Sequence, residues 1–397
     1  MASITKRSTA QGDNRYDVRY RDPAGKVRTR TFRRRKDADR FSSTTEAELI
    51  TGGWIDPNAG RLTFADWWPM WWETTVNLRP TTRARDESYA RNHVIPEFGA
   101  YPLATIDHTM ITAWVARLSK AGLAPATVHK AHQILGKCLA AAVDSGRIRA
   151  NPCDRVKLPR IERHEMLFLD PSQVATLHAE MDERYRAFVL VGAYCGLRFG
   201  ELAGLKLPRV DLLRRRIEVA EIAATVRGHQ YTGPPKTRAG HRSVPVPSVV
   251  AEALEDHVAR FTDGEYVFPA PQGGPLQAST FRRRFWHPAC VAAGLGEFTE
   301  VNKAKRSHRY EGLRIHDLRH TAVALWIAAG ASPKEVAVRA GHSSVATVLD
   351  RYGHLLPGTE DAVNDALDAM AQGATVADIG SARAMDARWS VADASGE

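Results

Sequence analysis

The chain is 397 residues long, 44% hydrophobic, with a formal net charge of +10 and a pI near 9.5. That length holds two or three domains, and no apolar run approaches a membrane span; the polar, basic N-terminus has no secretory apolar core. Four widely spaced cysteines (Cys138, Cys153, Cys195, Cys290) without a C-x-x-C fit a reduced cytoplasmic protein lacking a zinc ribbon, and the basic balance points to a polyanionic partner.

The charge is unevenly placed. Residues 1–40 carry thirteen Lys or Arg against five acids. Asn14 to Tyr20 alternates, with Tyr16, Val18 and Tyr20 on one face and Arg15 and Arg19 on the other; Asp22-Pro23-Ala24-Gly25 is a turn signal, and Val27 to Phe32 interleaves charge with β-formers. This predicts a basic hairpin followed by a helix over Lys36–Ile50, a small α+β domain over residues 1–55. Arg15, Arg19, Arg28, Arg30 and Arg33 are its candidate contacts to DNA phosphates.

Gly52 to Gly60 reads as a linker. Phe64, Trp67, Trp68, Trp71 and Trp72 recur at helical spacing and read as core rather than as a base-stacking platform. Helices are predicted over Thr81–Val94, Asp107–Ala121 and Pro125–Asp144, the last two closed by Gly122 and Gly146. They make an all-α domain over residues 61–150, with Arg83 and Lys130 as candidate DNA-facing cations. Residues 151–164 are polar, basic and Pro-containing, and read as a second linker. Asp170 then caps a new helix.

In the second half, the apolar stretch Tyr185 to Leu205 breaks at Cys195-Gly196, and Arg198 sits at the break. A charge in such surroundings needs an anionic partner; Glu201 supplies one three residues on, and the pair can still serve a phosphate. Strands are predicted over Arg216–Ala223 and Arg242–Val246, with Lys236 on the hairpin or loop between them, and helices over Pro247–Phe261 and Ala278–Ala293. Lys303–Arg309 reads as a basic loop. Residues 315–322 read I-H-D-L-R-H-T-A and place His316 and Arg319 on one helix face. Ser332-Pro333-Lys334-Glu335 is a helix start with a capping box, Gly341 ends that helix before His342, and Tyr352 follows. Residues 371–397 read as a flexible tail.

C-G-L-R-F-G-E-L (195–202), P-P-K-T-R-A-G-H-R-S-V-P (234–245), H-D-L-R-H-T (316–321), A-G-H-S-S (340–344) and R-Y-G-H (351–354) occur in this order. The set resembles the boxes of the tyrosine recombinases of the phage integrase family, firmly over about 165–365 and by layout alone before that. Cys195, Ala340 and Gly240 stand where Thr, Leu and Ser are common in the family; none removes a catalytic group. The resemblance implies a mainly α catalytic domain with a small antiparallel sheet over residues 165–370, behind an arm-type domain (1–55) and a core-binding domain (61–150). It implies strand exchange on double-stranded attachment sites through a 3′-phosphotyrosyl intermediate, integrating and excising a mobile element or prophage without metal, ATP or cofactor.

In that reading Tyr352 is the nucleophile and His316 the proton acceptor. Arg198 and Arg319 clamp the phosphate oxygens, Lys236 protonates the leaving 5′ oxygen, His342 donates to the phosphate, and Glu201 supports Arg198. His320 and His354 are read as structural. A homotetramer on DNA follows, with a host DNA-bending protein and an excision factor as candidate partners, no membrane, and a bacterial cytoplasm as the setting. Three alternatives stay open at this point: a topoisomerase or resolvase of the same superfamily, a DNA-binding regulator with a retired site, and a metal-dependent nuclease using His316, His320 and His342.

Overall fold

The charged N-terminal segment folds as a three-stranded antiparallel sheet in the order β1 (Ser3–Ser8), β2 (Asn14–Arg21), β3 (Val27–Phe32), followed by α1 (Arg35–Ile50). The predicted hairpin thus gains a third strand that its short polar sequence did not announce. The computed structural model describes residues 2–9, 12–56, 58–162, 166–262, 264–302, 307–356 and 360–373. The chain divides into two units, residues 1–164 and 165–397.

Register splits the basic residues of the sheet. Cross-strand partners share a face, and Val18 pairs with Arg30 while Tyr20 pairs with Arg28. Arg28 and Arg30 therefore lie on the inner face with the buried Val18 and Tyr20. There Arg28 pairs with Asp22 at 3.0 Å and also with Asp56, and the Arg30 guanidinium sits 4.9 Å from the ring centre of Phe41 on α1. Arg15 and Arg19 occupy the opposite face, Arg15 across from Arg7 and Arg19 across from Ser3. Arg33 is exposed on the step into α1.

Four helices follow in the same unit. They are α2 (Phe64–Glu73), α3 (Pro80–Tyr89) running through a π turn into α4 (Ile95–Phe98), α5 (His108–Lys120) and α6 (Pro125–Asp144). Thr63 and Asp107 cap α2 and α5 through their side chains. All four tryptophans of α2 are buried, Trp68 stacks on Trp72 at 5.1 Å, and the Trp67 indole donates to Cys138 O at 3.1 Å. The Arg83 guanidinium lies 4.8 Å from the Trp72 ring centre and donates to Thr75 O at 3.2 Å, while Lys130 is exposed and reaches Gln133. The first part of the predicted 151–164 linker is not free. Cys153 is buried, Asn151 donates to Gly136 O, and the His129 ring meets Pro159 O at 2.8 Å, so these residues close the helical core. Residues 163–165 lie outside the described residues.

The second unit begins with α7 (Pro171–Glu180), started by an Asp170 capping box, then α8 (Arg186–Cys195) and α9 (Phe199–Ala203). The strands β4 (Val210–Asp211), β5 (Arg216–Val219), β6 (Ile222–Val226), β7 (His229–Gly233) and β8 (Arg242–Pro245) make two sheets, β4-β5-β8 and the hairpin β6-β7. The predicted strand Arg216–Ala223 is thus two. Its first half pairs with β8, and its second turns away to pair with β7. Next come α10 (Ser248–Phe261), then α11 (Ala278–Phe281) running through a π turn into α12 (His287–Ala292), so the helix expected over Ala278–Ala293 is present with a π turn at its middle. Another hairpin, β9 (Gly296–Asn302) with β10 (Ser307–Gly312), takes in Ser307 to Arg309 of the expected basic loop; Lys303 to Arg306 lie outside the described residues.

The unit closes with α13 (Asp317–Ala328), α14 (Pro333–Ala340), α15 (Ala346–Tyr352) and α16 (Glu360–Gly373). The start of the predicted tail, Ala371 to Gly373, belongs to α16, and residues 374–397 lie outside the described residues. α8 and α13 cross closely because Gly192 has no side chain; a Cβ there would lie 2.6 Å from Leu318 Cδ1. Among the described residues no helix is long and apolar enough to cross a membrane.

Gly196 ends α8 in the left-handed region (φ +66°), and a Cβ on it would lie 2.7 Å from Trp326 Cη2. Gly330 has φ +86° with nothing within 4 Å of such a Cβ. Gly330→Ala should cost only the left-handed penalty, about 1 kcal/mol, whereas Gly196→Ala adds an overpacking cost of roughly 1–3 kcal/mol. Thermal unfolding of the two variants checks this, and equal shifts would show that Trp326 moves aside freely.

Candidate active site

Arg198 follows the left-handed Gly196 and opens α9 from the N-cap position. Its Nη1 donates to Glu201 Oε1 at 2.8 Å, and its backbone N–H donates to Glu201 Oε2 at 2.9 Å. The Glu201 carboxylate is buried and takes a second guanidinium. Arg242 Nη1 and Nη2 reach Oε1 and Oε2 at 3.1 and 2.9 Å. Burial alone would raise the Glu201 pKa. The bonds and charge of Arg242, then the charge of Arg198, outweigh it and hold the carboxyl at about 2. Arg242 also donates to Arg339 O at 2.7 Å and to Gly240 O at 3.2 Å, so one residue ties β8 to α9 and to the end of α14.

Arg319, on the first turn of α13, is 2% exposed. Its Nη1 donates to Gly196 O at 2.7 Å and its Nη2 to Ala340 O. Two helix ends thus aim the guanidinium, which carries five N–H donors and keeps others for an incoming oxygen. Burial first, then repulsion from Arg198, lowers its pKa to about 9, still above neutrality. His342 follows the left-handed Gly341 (φ +63°), and its Nδ1 is buried without a hydrogen-bond partner. Partial burial and the charges of Arg319 and Arg198 push its pKa down to about 4. His316 is exposed at the start of α13. Partial burial, then His320, Arg319 and Arg198, bring it to about 4 as well.

Tyr352 ends α15 and is 1% exposed; burial raises its pKa, while the charges of Arg319, Arg351 and Arg198 pull against that. Its hydroxyl lies 2.6 Å from Nδ1 of His320. The sequence reading gave the proton-acceptor role to His316, but the hydrogen bond to the phenol is made by His320, whose ring centre lies 4.9 Å from that of His316. Lys236 is exposed on the loop between β7 and β8. That loop returns to the site, because Ala239 O would lie 2.7 Å from a Cβ on Gly341.

Arg198, Glu201, His316, Arg319, His342 and Tyr352 therefore share one electrostatic neighbourhood, with Lys236 on an adjoining exposed loop. The candidate DNA contacts Arg15, Arg19, Arg28, Arg30, Arg33, Arg83 and Lys130 all belong to the other unit. Reasoning from sequence missed Arg242 and the hydrogen bond between His320 and Tyr352. The i,i+4 spacing of His316 and His320 on one helix was a usable signal for the second; nothing local announced the first. Three guanidinia against one carboxylate, with a buried hydroxyl and an unpaired imidazole nitrogen, suit an anionic tetrahedral group. Among the described residues no group of three His, Cys, Asp or Glu side chains converges in a way that could hold a metal.

Residues 167–358 match the phage integrase family, and residues 63–119 match the N-terminal SAM-like domain of phage integrases. The chain is 25% identical over 370 residues to a putative prophage phiRv2 integrase of Mycobacterium tuberculosis, covering 90% of this chain and 93% of the relative. It is 24% identical over 382 residues to the integrase of Mycobacterium phage L5, covering 91% and 96%. Among solved structures, the Tn1549 transposon integrase in complex with a circular intermediate DNA superposes with a TM-score of 0.63 at 21% identity, over 78% of this chain and 99% of that one. A lambda integrase dimer bound to a core site gives a TM-score of 0.56 at 17% identity, over 87% and 93%.

The Glu201 carboxyl sets an acid limit on stability. Its folded pKa lies below the ordinary 4.5, so its contribution is complete above about pH 4.5 and is lost as pH falls toward about 2. The loss amounts to roughly 3 kcal/mol. Denaturant unfolding measured between pH 6 and pH 2.5 should show this limb in the wild type and lack it in Glu201→Gln, which should be less stable at pH 6.

Proposed function

The chain belongs to the phage integrase family of tyrosine site-specific recombinases, the integrases of phages and mobile elements that act on DNA, and we propose that the cluster around Glu201 is its scissile-phosphate site. The observation that carries this is the placement of a buried phenol among Arg198, Arg319 and an unpaired His342 nitrogen. A phosphodiester there meets two guanidinia able to hold its non-bridging oxygens, and their charge offsets the extra charge of the pentavalent transition state. His342 donates to the same oxygens, and His316 lines the open edge of the site.

In this reading Tyr352 Oη attacks phosphorus. The Oη–P bond forms as the P–O5′ bond breaks, leaving a 3′-phosphotyrosine and a 5′ oxygen that takes a proton from Lys236. Exposure of the loop that carries Lys236 fits a group positioned by the DNA itself. The new ester conserves the bond energy of the old one. Attack by a 5′-hydroxyl from another duplex therefore completes the exchange without ATP. Arg198 and Glu201 act as a unit: Glu201 aims Arg198 and neutralises Arg242, leaving net positive charge for the phosphate.

The N-terminal sheet is proposed as a second DNA-binding module that uses the outward Arg15 and Arg19, with Arg33 at its edge. Arg28 and Arg30 serve its inside. Arg83 and Lys130 remain candidate phosphate contacts of the helical domain. A lambda integrase tetramer has been solved bound to a Holliday junction, and the same four-protomer assembly is proposed here.

The test uses the full chain, chelator and a library of nicked duplexes of random sequence. Covalent adducts are recovered under denaturing conditions, and the captured DNA is sequenced. Wild type should yield adducts on a common site and Tyr352→Phe none. Adducts that survive in Tyr352→Phe, or salt-sensitive binding with no adduct from either protein, would overturn the reading.

A further inference from the structure

We propose that His320, and not His316, is the catalytic base that takes the proton of Tyr352. The inference rests on the phosphotyrosyl reading above and deepens it. A buried phenol is a poor nucleophile. It titrates near pH 10 in water, and burial moves the Tyr352 hydroxyl further up. Some group in contact with Oη must therefore accept its proton as the bond to phosphorus forms. His320 Nδ1 stands 2.6 Å from that oxygen, within the range for direct transfer. His316, the more conspicuous histidine of the H-x-x-R box, is exposed and meets the His320 ring edge-on instead of the phenol.

The surroundings of His320 suit the task. It is 5% exposed. The groups that face it are Asp317, His316 and Arg319 from α13, Arg314 from the preceding loop, and Arg351 and Tyr352 from α15. Burial first, with the three arginines, holds its pKa below the ordinary histidine value, so the ring is neutral at pH 7 and a nitrogen is free to accept. Asp317 acts the other way and favours the charged ring once the proton has arrived. With hydrogen on Nε2, Nδ1 accepts from the phenol, the stronger acid of the two. In the step, the Tyr352 O–H bond breaks and its proton moves to His320 Nδ1. The Oη–P bond forms, the P–O5′ bond breaks, and the departing oxygen is protonated by Lys236. Attack by a 5′-hydroxyl, whose proton passes back to Lys236, later displaces Tyr352, and His320 returns the proton to Oη.

The test measures single-turnover cleavage of the duplex recovered from the library, from pH 6.5 to 9, for wild type, His320→Ala, His320→Gln and His316→Gln. Glutamine at 320 can keep a hydrogen bond to Oη but cannot take a proton. Both His320 variants should lose about 10²–10⁴-fold at pH 7. Their rates should then climb about tenfold per pH unit, as the phenol must ionise unaided, while the wild-type rate stays flat. A duplex with sulfur at the 5′-bridging position has a leaving group that needs no proton. It should restore Lys236→Ala and leave His320→Gln impaired.

Wild-type speed in His320→Gln would show that the ring only positions Tyr352, and a pH-independent loss would assign it a packing role; either overturns the proposal. A rising pH profile in His316→Gln but not in His320→Gln would return the base to His316. If wild type gives no Tyr352-dependent adduct at all, the phosphotyrosyl reading fails and this inference with it. If the adduct forms normally and only the His320 variants behave like wild type, the inference alone fails.

Discussion

The buried Glu201 carboxylate is the constraint on which the catalytic unit depends. An anion at 3% exposure is costly unless paired, and here two guanidinia pair it. Arg198 comes from the same turn, and Arg242 from a strand 41 residues on. Arg242 in turn bonds to the carbonyl of Arg339 at the end of α14. One charge therefore fixes three separate pieces of chain, and it does so at the proposed phosphate site, where rigid donors are needed. Removing the carboxylate would leave two like charges side by side, with Arg242 held only by the Arg339 and Gly240 carbonyls.

Arg319 applies the same logic with neutral partners. Its bonds to the Gly196 and Ala340 carbonyls use the otherwise unpaired C-terminal ends of α8 and α14. The negative ends of two helices thus steady a buried cation that has no carboxylate of its own. Around it, His316 and His342 are held neutral well below physiological pH. The positive charge of the site at neutral pH resides in guanidinium groups, while the imidazoles remain available to give or receive protons.

How much of this was legible in the sequence follows the range of each interaction. The caps at Asp170 and Ser332 and the helix ends at Gly196 and Gly341 are local, and the structure has them where the residues indicate. The buried tryptophans of α2 follow from helical spacing alone. The small sheets do not. Strands of four or five residues are too short for alternation to fix a partner, so Arg216 to Ala223 read as one strand when it serves two sheets. Arg198 with Glu201 is an i,i+3 pair and could be anticipated; Arg242 could not, because the turns that return it are set by tertiary packing. His320 lay in plain view beside Arg319. Its hydrogen bond depends on where a tyrosine 32 residues later comes to rest, which helical spacing does not determine.

The N-terminal sheet separates two duties that its composition mixes. Arg28 and Arg30 are committed to Asp22, Asp56 and Phe41 inside the module, while Arg15 and Arg19 stand on the other side of the same strands. Arg28 and Arg30 are thus part of the frame, whereas Arg15 and Arg19 lie outside the packed interior. Substitutions on the outer face can therefore accumulate one residue at a time without each change having to be compensated in the core. The alternation of a pleated strand gives such a module room to change its surface while keeping its old shape.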